Sequence, residues 1–156
     1  MARSGLSHLD LKPDNFVFDD DWRLMLIDFG HCTIYNQPTQ SLTGTPNYCA
    51  PEVLRRSVAP YIPCQVDIFN LGVILFIIKF QSVPFRSATA QDPFFRYVNN
   101  DDFNGFFTAH NANGFDLEDL KVIWACIQYQ PMNRPSISNL LSHPLARLSN
   151  QLITDV

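Results

Sequence analysis

The stretch that most limits how this chain can fold is residues 65–79, where Val66, Ile68, Phe69, Leu71, Val73, Ile74, Leu75, Phe76, Ile77 and Ile78 fall on every side of a helical projection. A helix of that composition has no polar stripe to offer water, so it is expected to be buried all round, as a post for the other elements. Its most apolar run, LGVILFIIKF, is ten residues long and contains Lys79. A bilayer span needs about 18 to 20 apolar residues, so the reading is a core helix and not a membrane segment. The whole chain, 156 residues and 46% hydrophobic, is enough for one domain with a real core.

Charge and cysteines narrow the class further. The formal net charge is −4, and no Lys/Arg cluster occurs beyond Arg55-Arg56, so the chain lacks the basic footprint that nucleic acid or an anionic lipid surface requires. Cys32, Cys49, Cys64 and Cys126 form no C-x-x-C pair, which suggests neither a zinc site nor a disulfide framework. Four free thiols suit a reducing, intracellular and cytoplasmic setting. The opening residues MARSGLSH have no apolar core and do not read as a signal peptide.

Two further helices are expected. One is capped by Asp116, carries Leu117, Leu120, Ile123, Trp124 and Ile127 at helical spacing, and stops before Pro131. The other is capped by Ser136, carries Ile137, Leu140 and Leu141, and ends before Pro144. Residues 81–115 between the helices read as loop with scattered aromatics. Residues 1–148 are expected to be one domain and 149–156 a short tail, with no internal repeat or linker.

The chemistry concentrates near the start, in HLDLKPDNFVF, which crowds His8, Asp10, Lys12, Asp14 and Asn15 into eight residues. Residues 16–18, an Asp-rich turn and residues 24–27 read as a β-hairpin. Folded about Asp21-Trp22, it would pair position i with 43 minus i and set Asn15 opposite Asp28. Two oxygen ligands at the open end of a hairpin suit Mg²⁺, which takes one or two protein oxygens and fills its shell with water and phosphate. Asp10 and Lys12 would face the same spot, one to orient a hydroxyl, the other as a point charge for a phosphate.

The order H-x-D-x-K-x-x-N, hairpin, Asp-Phe-Gly, GTPNYCAPE, DIFNLGVILF and QYQPMNRPSISNLLSHPL resembles eukaryotic protein kinases of the serine/threonine branch. The resemblance covers the whole chain and implies a mainly α fold, a kinase-like C-terminal lobe with a small β-hairpin carrying the catalytic and metal loops. It implies that Asp10 accepts the proton of a protein Ser/Thr hydroxyl, that Lys12 steadies the ATP γ-phosphate, and that Asn15 and Asp28 hold Mg²⁺. Thr45 would bond Asp10 and Lys12. Glu52 would pair with Arg134 as a buried architectural ion pair, and Asp67 would accept backbone N–H bonds from the catalytic loop. His8 and Phe29 resemble packing elements linking the metal loop to the core.

Three departures qualify that resemblance. Leu9 stands where the family usually has an arginine that reads an activation-loop phosphate, so activity should not require phosphorylation of Ser41 or Thr43, and the 19 residues from His31 to Cys49 should be held by their own contacts. Phe69 and Asn70 replace the usual Trp and Ser and read as tolerated packing swaps. No Gly-x-Gly-x-x-Gly occurs in the 156 residues, and nothing before residue 8 could supply the smaller lobe, so Met1 reads as an internal methionine and the isolated chain is expected to be weakly active or inactive, with its apolar underside exposed. The alternative is a truncated, non-catalytic binding or scaffold module. Asp92, Asp101 and Asp102 are the acidic side chains available for a substrate groove.

Overall fold

A computed structural model describes residues 5–41, 43–55 and 59–144. The tail assigned to 149–156, the reading of Met1, and Arg56 of the basic pair lie outside the described residues. In chain order the elements are β1 (Leu6–Ser7), β2 (Phe16–Phe18), β3 (Leu24–Leu26), β4 (Thr33–Ile34), α1 (Pro51–Leu54), α2 (Pro63–Phe80), α3 (Phe95–Asn99), α4 (Phe103–Ala109), α5 (Leu117–Cys126) and α6 (Ile137–Ser142). Short 3₁₀ turns cover Pro13–Asn15, Phe29–His31 and Pro131–Asn133. The fold is mainly helical. Its strands form two antiparallel pairs, β2 with β3, and β1 with β4 at Leu6↔Ile34 and Ser7↔Thr33.

The long apolar helix forms as α2, started by a proline in its first turn and stopped by Gln81 in the left-handed region, whose N–H closes onto Ile77 O at 2.8 Å. At 18 residues and mean hydropathy 1.6 it matches a membrane span by length and composition. Its packing is nevertheless that of a core helix. Val66, Phe69, Val73 and Phe76 are buried in a core that also takes Phe85, Phe95, Phe106, Leu120 and Ile123. Gly72 permits the close approach of α5, since a Cβ there would stand 2.6 Å from Cys126 Cβ and 2.8 Å from Ile127 Cγ2. The expectation that α2 is buried all round is too strong. Ile78 is 64% exposed, and Leu71 and Leu75 line an open apolar recess with Ile137 and Leu140, because one side of the helix is only partly covered by the described residues.

The hairpin forms one register away from the expected one. Phe16 pairs with Leu26, Val17 with Met25 and Phe18 with Leu24, so i pairs with 42 minus i and Asn15 lies opposite Ile27, not Asp28. The cause is the loop. Asp19 O accepts from Trp22 N at 3.0 Å, Trp22 adopts φ +59°, and Asp19 N donates to Arg23 O at 3.1 Å, which makes three loop residues instead of two. Asp19 Oδ1 holds that count by accepting from Asp21 N at 3.0 Å and Arg23 N at 2.9 Å.

Two expected helices form where their caps placed them. Asp116 accepts from Glu118 N and Asp119 N at the start of α5, and Ser136 accepts from Asn139 N at the start of α6. Residues 81–115 are not simply loop, because they contain α3 and α4. These helices have five and seven residues, too short for periodicity to show, and are held by ring packing such as Phe69 with Phe95 and Phe76 with Phe106. Asp92 and Asp102 are already committed there. The buried Asp92 carboxylate accepts from Arg86, Ser87, Phe94 and Phe95 amides, and Asp102 caps α4 through Gly105 N, which removes both from the acidic side chains expected to be free for a substrate.

Candidate active site

The loop between β1 and β2 is short, polar and strained, and α2 holds it. Leu9 sits at φ +66°, a region costly for a residue with a Cβ, and its side chain is buried. The conformation turns the amides of His8 and Leu9 toward Asp67, whose Oδ2 and Oδ1 accept them at 2.8 Å each. Burial pushes the Asp67 carboxyl above its ordinary range, against the pull of those two bonds. His8 is wholly buried. Its Nδ1 accepts from Asp10 N at 3.3 Å, which leaves the proton on Nε2 to donate to Ile27 O at 3.0 Å, so one imidazole ties the loop to the end of β3.

Asp10, Lys12 and Thr45 close a triangle. Asp10 Oδ1 accepts from both the amide and the hydroxyl of Thr45 at 2.8 Å, Lys12 Nζ donates to Thr45 Oγ1 at 2.8 Å, and Lys12 Nζ stands 3.0 Å from Asp10 Oδ2. Burial would raise the Asp10 pKa, but the bonds from Lys12 and Thr45 outweigh it and hold the carboxyl below its ordinary range. The hydrogen bond to Asp10 raises Lys12 in turn. At neutral pH the pair is therefore a carboxylate and an ammonium, with the carboxylate aimed by a threonine 35 residues away.

Asn15 bonds the Asp10 backbone, and the charge of Asp28 acts on Lys12. Asn15 is buried and its Nδ2 donates to Asp10 O at 2.8 Å, which leaves Oδ1 as the ligand atom. Asp28 is exposed in the left-handed region at φ +59°, one residue past the Ile27 that pairs with Asn15, and one of its oxygens accepts from Gly30 N at 3.3 Å. An amide oxygen and a carboxylate are hard donors of the kind Mg²⁺ takes. Among the described residues no group of three His, Cys, Asp or Glu side chains forms a metal cage. Phe29 is about half exposed and meets the edge of His8 at 5.5 Å between ring centroids.

From His31 to Cys49 the chain is pinned at several points. Thr39 and Tyr61 exchange backbone bonds at 3.0 and 2.9 Å, the Tyr61 hydroxyl reaches Ser41 O, and Thr43 Oγ1 bonds His31 Nδ1. Beyond it, Arg134 is fully enclosed and uses all five N–H donors. Two meet Glu52 at 2.7 and 2.8 Å, two meet Gln65 O and Gln128 O at 2.8 Å, and the last meets Tyr129 O at 3.4 Å, with the guanidinium over Phe69.

A sequence profile of the protein kinase domain matches residues 1–146. The chain belongs to the protein kinase family. Among curated proteins it is similar to Probable serine/threonine-protein kinase mkcF of Dictyostelium discoideum, 29% identical over 140 residues that cover 89% of this chain and 19% of that protein. It is also similar to Calcium-dependent protein kinase 4 of Arabidopsis thaliana, 34% identical over 147 residues, 90% of this chain and 28% of that protein. Maternal embryonic leucine zipper kinase of Danio rerio is 28% identical over 147 residues, 90% and 20% respectively. The chain thus spans between 19% and 28% of the length of these kinases.

The kinase motifs account for most of these positions. Tyr61 and the Thr43–His31 contact were not expected, and Asn70, expected as a tolerated packing swap, makes a specific bond instead. Nothing in the sequence marks the first two, because each joins segments remote in the chain. Asn70 was visible only as an unusual residue in a familiar motif. Its Nδ2 donates to Tyr48 O at 2.6 Å.

Proposed function

We propose that this chain carries the phosphotransfer machinery of a serine/threonine protein kinase, moving the ATP γ-phosphate to a protein Ser or Thr hydroxyl. The observation that carries the reading is the closed triangle of Asp10, Lys12 and Thr45. Asp10, ionised and fixed by Thr45, orients the incoming hydroxyl and takes up its proton as the phosphoryl group leaves ATP. Lys12 already stands as an ammonium beside that carboxylate and offers its charge to the transferred phosphate. Asn15 Oδ1 and the Asp28 carboxylate would hold Mg²⁺, which when bound neutralises charge on the phosphates. Threonine at position 45, bonded to both Asp10 and Lys12, favours Ser/Thr over Tyr as acceptor. Four free thiols fit an intracellular setting.

Mn²⁺ in place of Mg²⁺ tests the site directly. With ATP present, paramagnetic broadening should reach the amides of Asn15, Asp28 and Gly30 first and be lost in Asp28→Asn; broadening spread evenly over acidic surface residues would overturn the assignment. Incubation with labelled ATP and a generic basic protein should give at most slow transfer to Ser/Thr, abolished by Asp10→Asn. A second reading, a non-catalytic binding module, is favoured by the exposed apolar hairpin, where Phe18, Trp22 and Leu24 face outward. It would be supported by an intact metal response with no transfer at any enzyme concentration.

A further inference from the structure

Asn70 lies on the face of α2 that meets the activation segment, the stretch from His31 to Cys49, and is 2% exposed. Tyr48 O can only accept, so the amide end facing it at 2.6 Å is the NH₂, and Oδ1 points elsewhere, buried with no hydrogen-bond partner. A buried primary amide with one end unsatisfied is unfavourable for stability alone, since burying a polar group without a partner has a free-energy cost. The retained feature is therefore the bond to Tyr48. That carbonyl belongs to a tight turn in which Tyr48 N donates to Thr45 O at 2.9 Å and Cys49 N to Pro46 O at 3.3 Å. The first residue of the turn gives its amide and its hydroxyl to Asp10. One path of hydrogen bonds and three peptide links thus runs from the core helix through Tyr48 and Thr45 to the carboxylate of the triangle.

We infer that Asn70 is a positioning residue, clamping the Thr45–Tyr48 turn to α2 so that Thr45 aims Asp10 whether or not the activation segment is phosphorylated. This role rests on the phosphotransfer reading, but the clamp itself does not. The shorter serine usual in the family has no second heavy atom to extend toward Tyr48, and Leu9, buried and neutral, cannot order the segment through a phosphate. A neutral amide donor is present at every pH and needs no modifying enzyme.

Hydrogen exchange on the full 156-residue chain, without nucleotide or metal, tests the clamp independently of catalysis. Asn70→Leu keeps the shape and removes the donor. It should speed exchange of the Tyr48 and Cys49 amides by roughly tenfold, with Asn70→Ala similar and the amides of α5 unchanged. Unchanged Tyr48 and Cys49 exchange in both variants would overturn the inference, as would a uniform increase across Tyr48, Cys49 and α5, which would mark Asn70 as a packing residue only. Should the variants not fold, the unaltered chain decides. The Asn70 side-chain NH₂ resonances should show through-space contact with Tyr48 and slow solvent exchange, and exchange at the rate of a free amide would sink the proposal. A protected clamp alongside a failed Mn²⁺ response would count against the phosphotransfer reading and leave the clamp standing.

Discussion

The two halves of α2 are stabilised by different means. Its N-terminal half meets polar loops through directional bonds. Asp67 accepts from His8 and Leu9, Gln65 O accepts from Arg134, and Asn70 reaches Tyr48. Its C-terminal half meets aromatic rings, with Phe76 against Phe80, Phe106 and His110. The difference follows from what each region must hold. A loop with Leu9 at φ +66° has no regular ladder to share and must be fixed point by point, whereas α3 and α4, whose starts are bonded by Asp92 and Asp102, are held against α2 by buried rings. Precision therefore gathers at one end of the helix and bulk stability at the other.

The sharpest test of that contrast is Arg134, which combines both means at the polar end, pairing with Glu52 while lying over Phe69. Arg134→Ala should cost about 3–5 kcal/mol in urea unfolding by stranding the Glu52 carboxylate, and Arg134→Lys should recover little, since an ammonium cannot reproduce the planar fork. A loss below about 1 kcal/mol would break the comparison, because the pair would then be decorative. Next in size is Asp67→Ala, which should cost about 1.5–3 kcal/mol and open exchange in the loop holding His8 and Leu9 while sparing α5. Uniform loosening would instead mean that the polar end also supplies bulk stability.

A pH effect separates the halves more finely. Burial lowers the His110 pKa below its ordinary 6.5, against a bond to the Pro84 carbonyl and the nearby Asp92 charge. The unfolded chain then takes up the proton first, so stability is full above about pH 6.5 and falls as pH drops through the folded value. His110→Phe should flatten the thermal midpoint between pH 7 and 5. The smallest effects are expected at the surface. Trp22 is 82% exposed beside Phe18, so Trp22→Ser should shift stability within about 0.5 kcal/mol while reducing self-association measured by light scattering. Ser41→Ala with Thr43→Ala should likewise leave the thermal midpoint nearly unchanged, because Ser41 contributes its carbonyl to Tyr61 and Thr43 a partly exposed contact.

Much was legible before any coordinates. The apolar run marked α2, and Asp116 and Ser136 marked two helix starts, because periodicity and capping are local properties. The motif order pointed to the kinase family. The hairpin register was not legible, since DDDWR accommodates a two- or a three-residue loop, and the bonds of Asp19 make the choice. Nor were α3 and α4, whose five and seven residues carry too few turns to show a period. Asn70 looked like a packing swap because its partner, Tyr48, is 22 residues away.

What the sequence determined by itself was therefore the central helix, the caps, and the residue types at the site, all set by patterns within a few turns of chain. Tertiary structure alone decided that Thr45 aims Asp10 across 35 residues and that Asp67 holds Leu9 across 58. The physical reason is that a strained loop has no local minimum of its own. Its shape exists only where distant donors and acceptors are already in place to satisfy its backbone.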